Sequence, residues 1–212
     1  CRLQLRPHSR GVQWTFRPCL RKRLMSGVHP PIVGTPQQDV SAVTAEWLWT
    51  DESATRAFAQ ALAQLAPLQN AYIELIGDLG AGKTTFVRYL LQALGAEGRI
   101  KSPTYAVVEP HEGRHPLGQQ ALAIWHFDFY RFNDPEEFQE AGFRDLFAST
   151  GLKIAEWPNQ AQGMLPKPDL QLTLSVNEQE ARQVQAVACT PQGQQILQAL
   201  MKSMPATTSH LI

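Results

Sequence analysis

Cysteine is scarce in this chain, and no two cysteines are closely spaced. The 212 residues contain three, Cys1, Cys19 and Cys189, and no Cys-x-x-Cys pair occurs. An odd number of widely separated cysteines argues against a disulfide framework and against a structural zinc site. We therefore expect a reducing, cytoplasmic setting.

Long apolar runs are also missing from the sequence. No stretch approaches the roughly 18 apolar residues of a membrane-spanning helix. No apolar run of the length found in secretory signals follows the basic N-terminus. We therefore expect no membrane association. A hydrophobic content of 43% is enough for one well-buried core, which argues against a disordered protein.

Acidic residues are absent from residues 1–38, although the whole chain carries 19 basic and 19 acidic residues. This stretch contains seven Arg or Lys residues. Three interpretations remain open: translated sequence upstream of a start at Met25, an organelle transit peptide, or a basic arm that contacts RNA. Residues 26–40 are rich in proline and glycine, as linkers are. We assign residues 1–45 to a disordered or non-native N-terminal extension and linker.

The remaining residues alternate between predicted strands and predicted helices. Strands are expected at 45–50, 71–76, 104–109, 121–127 and 152–157, with a late antiparallel pair at 170–176 and 182–188. Helices are expected after residue 51, after the glycine-rich loop at 77–82, from Asp134, and at 193–201. This order predicts an α/β protein with a P-loop NTPase-like three-layer fold and a mixed, mainly parallel central sheet. The P-loop domain is expected over residues 46–203 and a disordered tail over 204–212.

The segment GDLGAGKTT at residues 77–85 matches the phosphate-binding loop pattern Gly-x4-Gly-Lys-Ser/Thr. It lies between a predicted apolar strand and a predicted amphipathic helix, which is the context that the motif requires. Lys83 is expected to contact the β and γ phosphates, Thr84 to offer its hydroxyl to Mg²⁺, and Thr85 to donate to a phosphate. The predicted nucleotide-binding residues of the loop are Asp78, Leu79, Gly80, Ala81, Gly82, Lys83, Thr84 and Thr85.

Two carboxylates follow predicted strands at the points where those strands end. Asp128 closes one apolar run and Glu156 closes another. In a parallel sheet both would lie at the carboxyl edge, where ligands bind in such folds. Asp128 is interpreted as a Walker B-like acid, with a simple turn or capping role as the alternative.

Three neighbouring side chains have more than one interpretation. His126 shares a strand face with Asp128 and is interpreted as its hydrogen-bonded neighbour, because no Cys or His cluster supports a transition-metal site. Trp157 is either a core residue or a platform for the nucleotide base. Arg131 either steadies phosphate charge or pairs with an acid.

Five short motifs occur in order along the chain. They are GDLGAGKTT at 77–85, KSPTY at 101–105, HFDFYR at 126–131, DPEE at 134–137 and EWP at 156–158. Each is weak alone, but together and in this order they are specific. Over residues 46–200 the chain resembles the bacterial TsaE family, formerly YjeE. Members of this family are ATPases that are needed to make threonylcarbamoyladenosine in tRNA.

The resemblance implies roles for individual residues. Lys83 and Thr84 would be the Walker A residues, Asp128 a magnesium-linked acid, and Glu156 an acid needed for hydrolysis. Trp157 would lie near the nucleotide, and residues 102–105 would form a mobile segment facing it. The implied catalytic residues are Glu156, Asp128 and Lys83, and the implied metal-binding residues are Thr84, Asp128 and Glu156. The implied cofactors are ATP and Mg²⁺.

The resemblance also implies partners. The family joins the TsaB–TsaD heterodimer and supports its turnover, so the ATPase is expected to be weak alone and to meet tRNA indirectly, through the complex. Two other functions remain open, a small-molecule kinase and a nucleotide-switched RNA-binding module. ATP is favoured over GTP, because the segment nearest to the guanine-reading Asn-Lys-x-Asp motif is Pro-Lys-Pro-Asp at 166–169. Residues 111–120 are interpreted as a variable insertion.

Overall fold

The computed structural model describes residues 43–114, 120–132, 138 and 141–211. Residues 1–42 of the predicted N-terminal extension and the predicted helix start at Asp134 lie outside these residues. Within them, no helix combines the length and the apolar character needed to cross a membrane.

Eight strands and four α-helices make up the described fold. The strands are β1 Val43–Trp49, β2 Tyr72–Ile76, β3 Val108–Arg114, β4 Ala121–Asp128, β5 Leu152–Glu156, β6 Leu170–Val176, β7 Arg182–Ala188 and β8 Thr208–Leu211. The α-helices are α1 Glu52–Ala63, α2 Lys83–Ala93, α3 Phe143–Ala148 and α4 Pro191–Ser203. Short 3₁₀ helices occupy Ala66–Asn70 and Pro158–Ala161.

All eight strands belong to one sheet, in the order β3-β4-β5-β2-β6-β7-β1-β8. The pairs β4–β5, β5–β2 and β2–β6 are parallel, and the outer pairs are antiparallel. The predicted α/β class with a mixed sheet is confirmed, and the parallel pairing is confined to the four central strands. The carboxyl ends of these strands therefore meet at one edge of the sheet.

The two faces of the sheet are covered differently. Helices α1, α2 and α4 pack on one face through a large apolar cluster that includes Phe58, Phe86 and Leu200. The other face carries a smaller cluster, mostly aromatic, that includes Phe127 and Phe143. Because successive strand residues point to opposite faces, β4 can supply Ile124 to the first cluster and Phe127 to the second. The predicted three layers are thus present.

Two helix boundaries follow the predicted local chemistry. Asp51 is the N-cap of α1, and its Oδ1 accepts from the backbone N–H of Ala54 at 3.0 Å. Gly95 follows α2 with φ of +75°, the left-handed conformation expected of a glycine at a helix C-terminus.

Three sequence-based predictions are wrong in part. The strand expected at 104–109 begins only at Val108, because residues 104–106 form a turn and Val107 has a φ of 62°. The extension expected over 1–45 overlaps β1, which begins at Val43. The variable insertion at 111–120 stays a prediction, with residues 111–114 in β3 and residues 115–119 outside the described part. The tail expected to be disordered at 204–212 contains β8, which pairs antiparallel with β1. Ordered structure therefore extends beyond 46–203 at both ends.

Candidate active site

The glycine loop connects the end of β2 to the start of α2. Gly80 and Gly82 have φ values of +83° and +106°, which disfavour any residue with a Cβ. A Cβ on Gly77 would collide with the backbone carbonyl of Leu174 on β6. Gly77 thus lets the loop lie close against β6, with the N-terminal turn of α2 following the loop, as phosphate-binding loops require.

Lys83, the first residue of α2, turns back over the loop. Its Nζ donates to the carbonyl oxygens of Gly77 at 2.6 Å and of Asp78 at 2.8 Å. The residue is only 4% exposed, and this burial lowers the pKa of the ammonium group, although the charges of Glu156, Asp128 and Asp78 oppose the shift. The ammonium is thus held inside the concave loop by backbone oxygens.

Glu156 is fixed from two sides at the end of β5. Its Oε2 accepts from the Thr84 hydroxyl at 2.9 Å, and its Oε1 lies 2.9 Å from the Nε2 of His126. Glu156 is 2% exposed and His126 is fully buried. The prediction that His126 is hydrogen-bonded to Asp128 is wrong in its partner, because the imidazole reaches Glu156 on the adjacent strand β5. A single carboxylate therefore links the Walker A threonine to a buried imidazole on β4.

Asp128 ends β4 directly beside Glu156 in the register of the parallel pair. Its Oδ2 accepts from the hydroxyls of Ser102 and of Thr104, the latter at 3.0 Å, and its Oδ1 accepts from the backbone N–H of Tyr130 at 2.9 Å. Asp128 consequently ties the segment that precedes β3 to the carboxyl edge of the sheet. Asp128 therefore stabilises the turn after β4 and also lies beside Glu156 at the edge of the sheet.

Trp157 follows Glu156 and adopts an unusual backbone conformation. Its φ of 58° and ψ of 45° lie in the left-handed region, which is strained for an aromatic residue. The Lys83 ammonium lies 4.0 Å from the centre of its ring, and the Tyr130 ring centre is 4.9 Å away. The strained turn places the indole against the Walker A lysine.

Oxygen atoms that could bind a metal ion lie on three elements at the carboxyl edge of the parallel strands. They are the Thr84 hydroxyl and the carboxylates of Asp128 and Glu156. Such hard oxygen ligands suit Mg²⁺, which usually takes one or two carboxylates together with water and substrate phosphates. In the part of the chain that the structure describes, no three His, Cys, Asp or Glu side chains form a self-sufficient metal cluster. The donor set therefore fits a magnesium ion that is shared with phosphates.

Two arginines occupy positions that their sequence context did not indicate. The Arg131 guanidinium lies 4.4 Å from the centre of the Tyr105 ring, a contact that neither interpretation of Arg131 included. Arg182, at the start of β7, has its Nε 3.8 Å from the point where a Cβ on Gly82 would lie. Sequence analysis missed Arg182 because it belongs to no motif and lies about one hundred residues beyond the loop.

Replacing His126 by Leu is expected to lower the free energy of unfolding by roughly 1–3 kcal/mol, because Glu156 Oε1 would lose a buried hydrogen-bond partner. Denaturant unfolding of both proteins measures the change. His111→Leu is the matched control, since His111 lies near His126 but its Nε2 makes no hydrogen bond among the described residues and is only 4.0 Å from the partly exposed Glu109 carboxylate. Equal losses in the two variants would contradict the stabilising role of the His126–Glu156 contact.

The fold and the glycine loop together define the structural class of the protein. A glycine loop runs from a central parallel strand into a helix, and two carboxylates stand at the ends of neighbouring strands. This is the arrangement of a P-loop NTPase-like protein. The crystal structure of Bacillus subtilis YdiB superposes with a TM-score of 0.60 at 22% identity, over 76% of this chain and 95% of that one. The predicted P-loop NTPase-like fold is confirmed.

Comparison of sequences gives the family. The family model described as Threonylcarbamoyl adenosine biosynthesis protein TsaE matches residues 49–184. The TsaE protein of Haemophilus influenzae is 38% identical over 142 residues, which cover 67% of this chain and 85% of that protein. The TsaE protein of Synechocystis is 39% identical over 119 residues, covering 54% and 71% respectively. The chain belongs to the TsaE family, as its five motifs predicted.

Proposed function

We propose that this chain is a Mg²⁺-dependent ATPase that acts with the TsaB–TsaD heterodimer in the synthesis of tRNA N6-threonylcarbamoyladenosine. The observation that carries the proposal is the Glu156 carboxylate, held between Thr84 and His126 beside the phosphate loop. Membership of the TsaE family supports the biosynthetic role. A cytoplasmic location accompanies this role.

Phosphate binding would replace the hydrogen bonds that Lys83 makes to the loop by hydrogen bonds to phosphate oxygens. Its ammonium would leave the carbonyls of Gly77 and Asp78 for phosphate oxygens, and backbone N–H groups of residues 78–85 would complete the cradle. Thr84, Asp128 and Glu156 are the residues that would hold Mg²⁺, which neutralises phosphate charge when bound. In this proposal the loop binds the phosphates, and the neighbouring carboxylates orient the metal ion.

Hydrolysis requires a group that orients the attacking water. Glu156 is the best placed acid, because it lies next to Thr84 and its geometry is fixed by His126. Asp128 is less well placed, because its oxygens accept from Ser102, Thr104 and the Tyr130 N–H, whereas Glu156 is bonded to the threonine that follows the lysine of the phosphate loop. The contacts of Asp128 also disfavour a small-molecule kinase in which Asp128 would activate an acceptor hydroxyl, because that hydroxyl would have to displace Ser102 or Thr104.

Preference for ATP is supported at residues 166–169, the segment nearest to a guanine-reading motif. Asp169 accepts from the Tyr72 backbone N–H at 2.8 Å and from the Thr190 hydroxyl. Its carboxylate therefore fastens the starts of β2 and α4 and is not directed at a base.

Dependence on a partner is supported by apolar side chains exposed around the site. Leu79, within the glycine loop, is 77% exposed, and Tyr105, next to the segment tied to Asp128, is 84% exposed. Large apolar side chains on segments that border a site are typical of surfaces that another protein covers. We propose that TsaB–TsaD covers them and that tRNA is met through this complex.

Phosphate release tests the proposal directly. The chain is assayed with Mg²⁺ and ATP, alone and with the TsaB–TsaD pair from the same organism. A slow basal rate that the pair raises is expected. A rate of phosphate release that the TsaB–TsaD pair leaves unchanged, but that a small hydroxyl acceptor raises, would favour the kinase. Binding of RNA without ATP hydrolysis would favour the RNA-binding module.

A further inference from the structure

The chain between α2 and β3 is mostly exposed, but one residue in its middle is buried. Ile100 is 3% exposed and packs in the apolar cluster that α2 also joins. The exposed residues around it are Glu97, Gly98, Arg99 and Lys101. We call residues 97–104 the connecting segment. Ile100 fixes the middle of this segment to the face of the sheet that α2 covers.

Arg88, in the second turn of α2, contacts the connecting segment at this point. The residue is half-buried, and its Nε donates to the carbonyl oxygen of Ile100 at 3.4 Å. Because the Ile100 side chain is buried, its carbonyl oxygen is held close to the helix and needs a donor there. Arg88 therefore ties the helix that follows the phosphate loop to the connecting segment.

The far end of the connecting segment is bonded to the candidate active site. The hydroxyls of Ser102 and of Thr104 donate to Asp128 Oδ2, the latter at 3.0 Å. Both residues follow Ile100 closely in the chain. A shift of the Ile100 backbone would move these hydroxyls relative to Asp128, because a few residues span only a short distance.

Arg88 lies on the same side of α2 as Thr84. The two residues are four positions apart in the sequence, so their side chains leave one face of the helix one turn apart. The Thr84 hydroxyl donates to Glu156 Oε2 at 2.9 Å. One face of α2 thus contacts Glu156 directly and reaches Asp128 through the connecting segment.

We propose that Arg88 is a positioning residue for ATP hydrolysis. By holding the connecting segment, it keeps two hydroxyls bonded to Asp128 and thereby fixes that carboxylate beside Glu156. The inference rests on the proposed hydrolysis of ATP and adds a residue that belongs to none of the five motifs. The arrangement requires the N–H donor of Arg88 and not its charge, which separates positioning from direct stabilisation of phosphate charge.

Two substitutions separate the donor from the charge. Arg88→Gln places an amide N–H as far along the side chain as the Nε of arginine, but it removes the charge. Arg88→Met has a similar length and no donor. With the TsaB–TsaD pair present, we expect Arg88→Met to lower the single-turnover rate of phosphate release about tenfold, because displaced groups near the chemistry slow the reaction. Arg88→Gln should keep most of this rate.

ATP affinity is the second quantity measured on these variants. It should stay within about twofold of that of the unmodified chain, because the phosphate loop supplies the phosphate contacts. Arg144→Met is the control for loss of an arginine, since Arg144 is exposed on α3, and it should hydrolyse ATP at the unmodified rate. Equal losses of rate in Arg88→Gln and Arg88→Met would mean that the charge acts directly, which contradicts positioning. An unchanged rate in Arg88→Met, or a loss of ATP affinity as large as the loss of rate, would also contradict it.

A double-mutant cycle tests whether Arg88 acts through the connecting segment. Ser102→Ala combined with Thr104→Val removes both hydroxyls that donate to Asp128 Oδ2. In that background Arg88→Met should slow phosphate release by less than about twofold, because residues that act through one contact are not additive. Additive losses would rule out the route through these hydroxyls.

Hydrogen exchange tests the contact without any hydrolysis. The backbone N–H groups of Val107 and Asp128 donate to the carbonyls of Pro103 and Val107, so their protection reports whether the end of the connecting segment stays in place. We expect both to exchange about tenfold faster in Arg88→Met, and at unchanged rates in Arg88→Gln and Arg144→Met. Unchanged exchange in Arg88→Met would overturn the tether. If exchange changes as expected but the unmodified chain hydrolyses no ATP with the pair, the proposed function fails, and the role of Arg88 in hydrolysis with it.

Discussion

Replacing Glu156 by Gln is expected to slow ATP hydrolysis by about 10²- to 10⁴-fold, the usual contribution of a positioned acid or base. Glutamine has nearly the same shape and can still bond to Thr84 or His126, so the fold should persist. It lacks the negative charge that would orient and deprotonate water. ATP affinity should change little, since Lys83 and the loop amides supply the phosphate contacts. Single-turnover phosphate release and equilibrium ATP binding measure the two quantities separately.

Glu112→Gln is the matched control for this experiment. Glu112 lies exposed on β3, and its carboxylate makes none of the contacts described around the loop. Hydrolysis by Glu112→Gln should equal that of the unmodified chain. Normal hydrolysis by Glu156→Gln would show that another group orients the water. A parallel loss of ATP affinity would show that the carboxylate acts mainly through the metal ion.

Local sequence patterns predicted correctly those strands and helices whose hydrophobic pattern matches their burial in the fold. β6 and β7 match the predicted ranges 170–176 and 182–188, because their alternating residues form a half-buried antiparallel pair. The turn before β3 was mistaken for strand, since tertiary hydrogen bonds override its propensity. Val107 donates to Pro103 and accepts from the Asp128 N–H. β8 was missed because its pairing with β1 is a long-range property of a polar segment.

The residues of the candidate site also fall into those that a local motif predicts and those that it does not. Residues of the glycine loop are contiguous, so one motif predicts them all. The meeting of Thr84, His126 and Glu156 needs the parallel register of β4 and β5, which brings residues 126, 128 and 156 to one edge. No local pattern predicts the left-handed turn that puts Trp157 over Lys83, or the approach of Arg182 to Gly82. Such contacts depend on how the strands are ordered.

Lys83→Ala is expected to weaken ATP binding by about 10- to 150-fold, which corresponds to the loss of hydrogen bonds to charged groups worth roughly 1.5–3 kcal/mol. The ammonium is the positive charge that the loop holds against its own carbonyls, and alanine cannot replace its donors. Equilibrium titration with ATP measures the effect. Hydrolysis at saturating ATP should fall as well, because the lysine would contact the phosphate that is transferred.

The control for this variant is Lys202→Ala, which removes the same charge from an exposed position in the last turn of α4. ATP affinity should be unchanged there, so any loss in Lys83→Ala beyond that of the control is local to the loop. Tripolyphosphate should be weakened by Lys83→Ala as strongly as ATP, since the lysine meets only phosphates. Unchanged affinity for both ligands would mean that the ammonium stays with the carbonyls of Gly77 and Asp78 when a nucleotide binds.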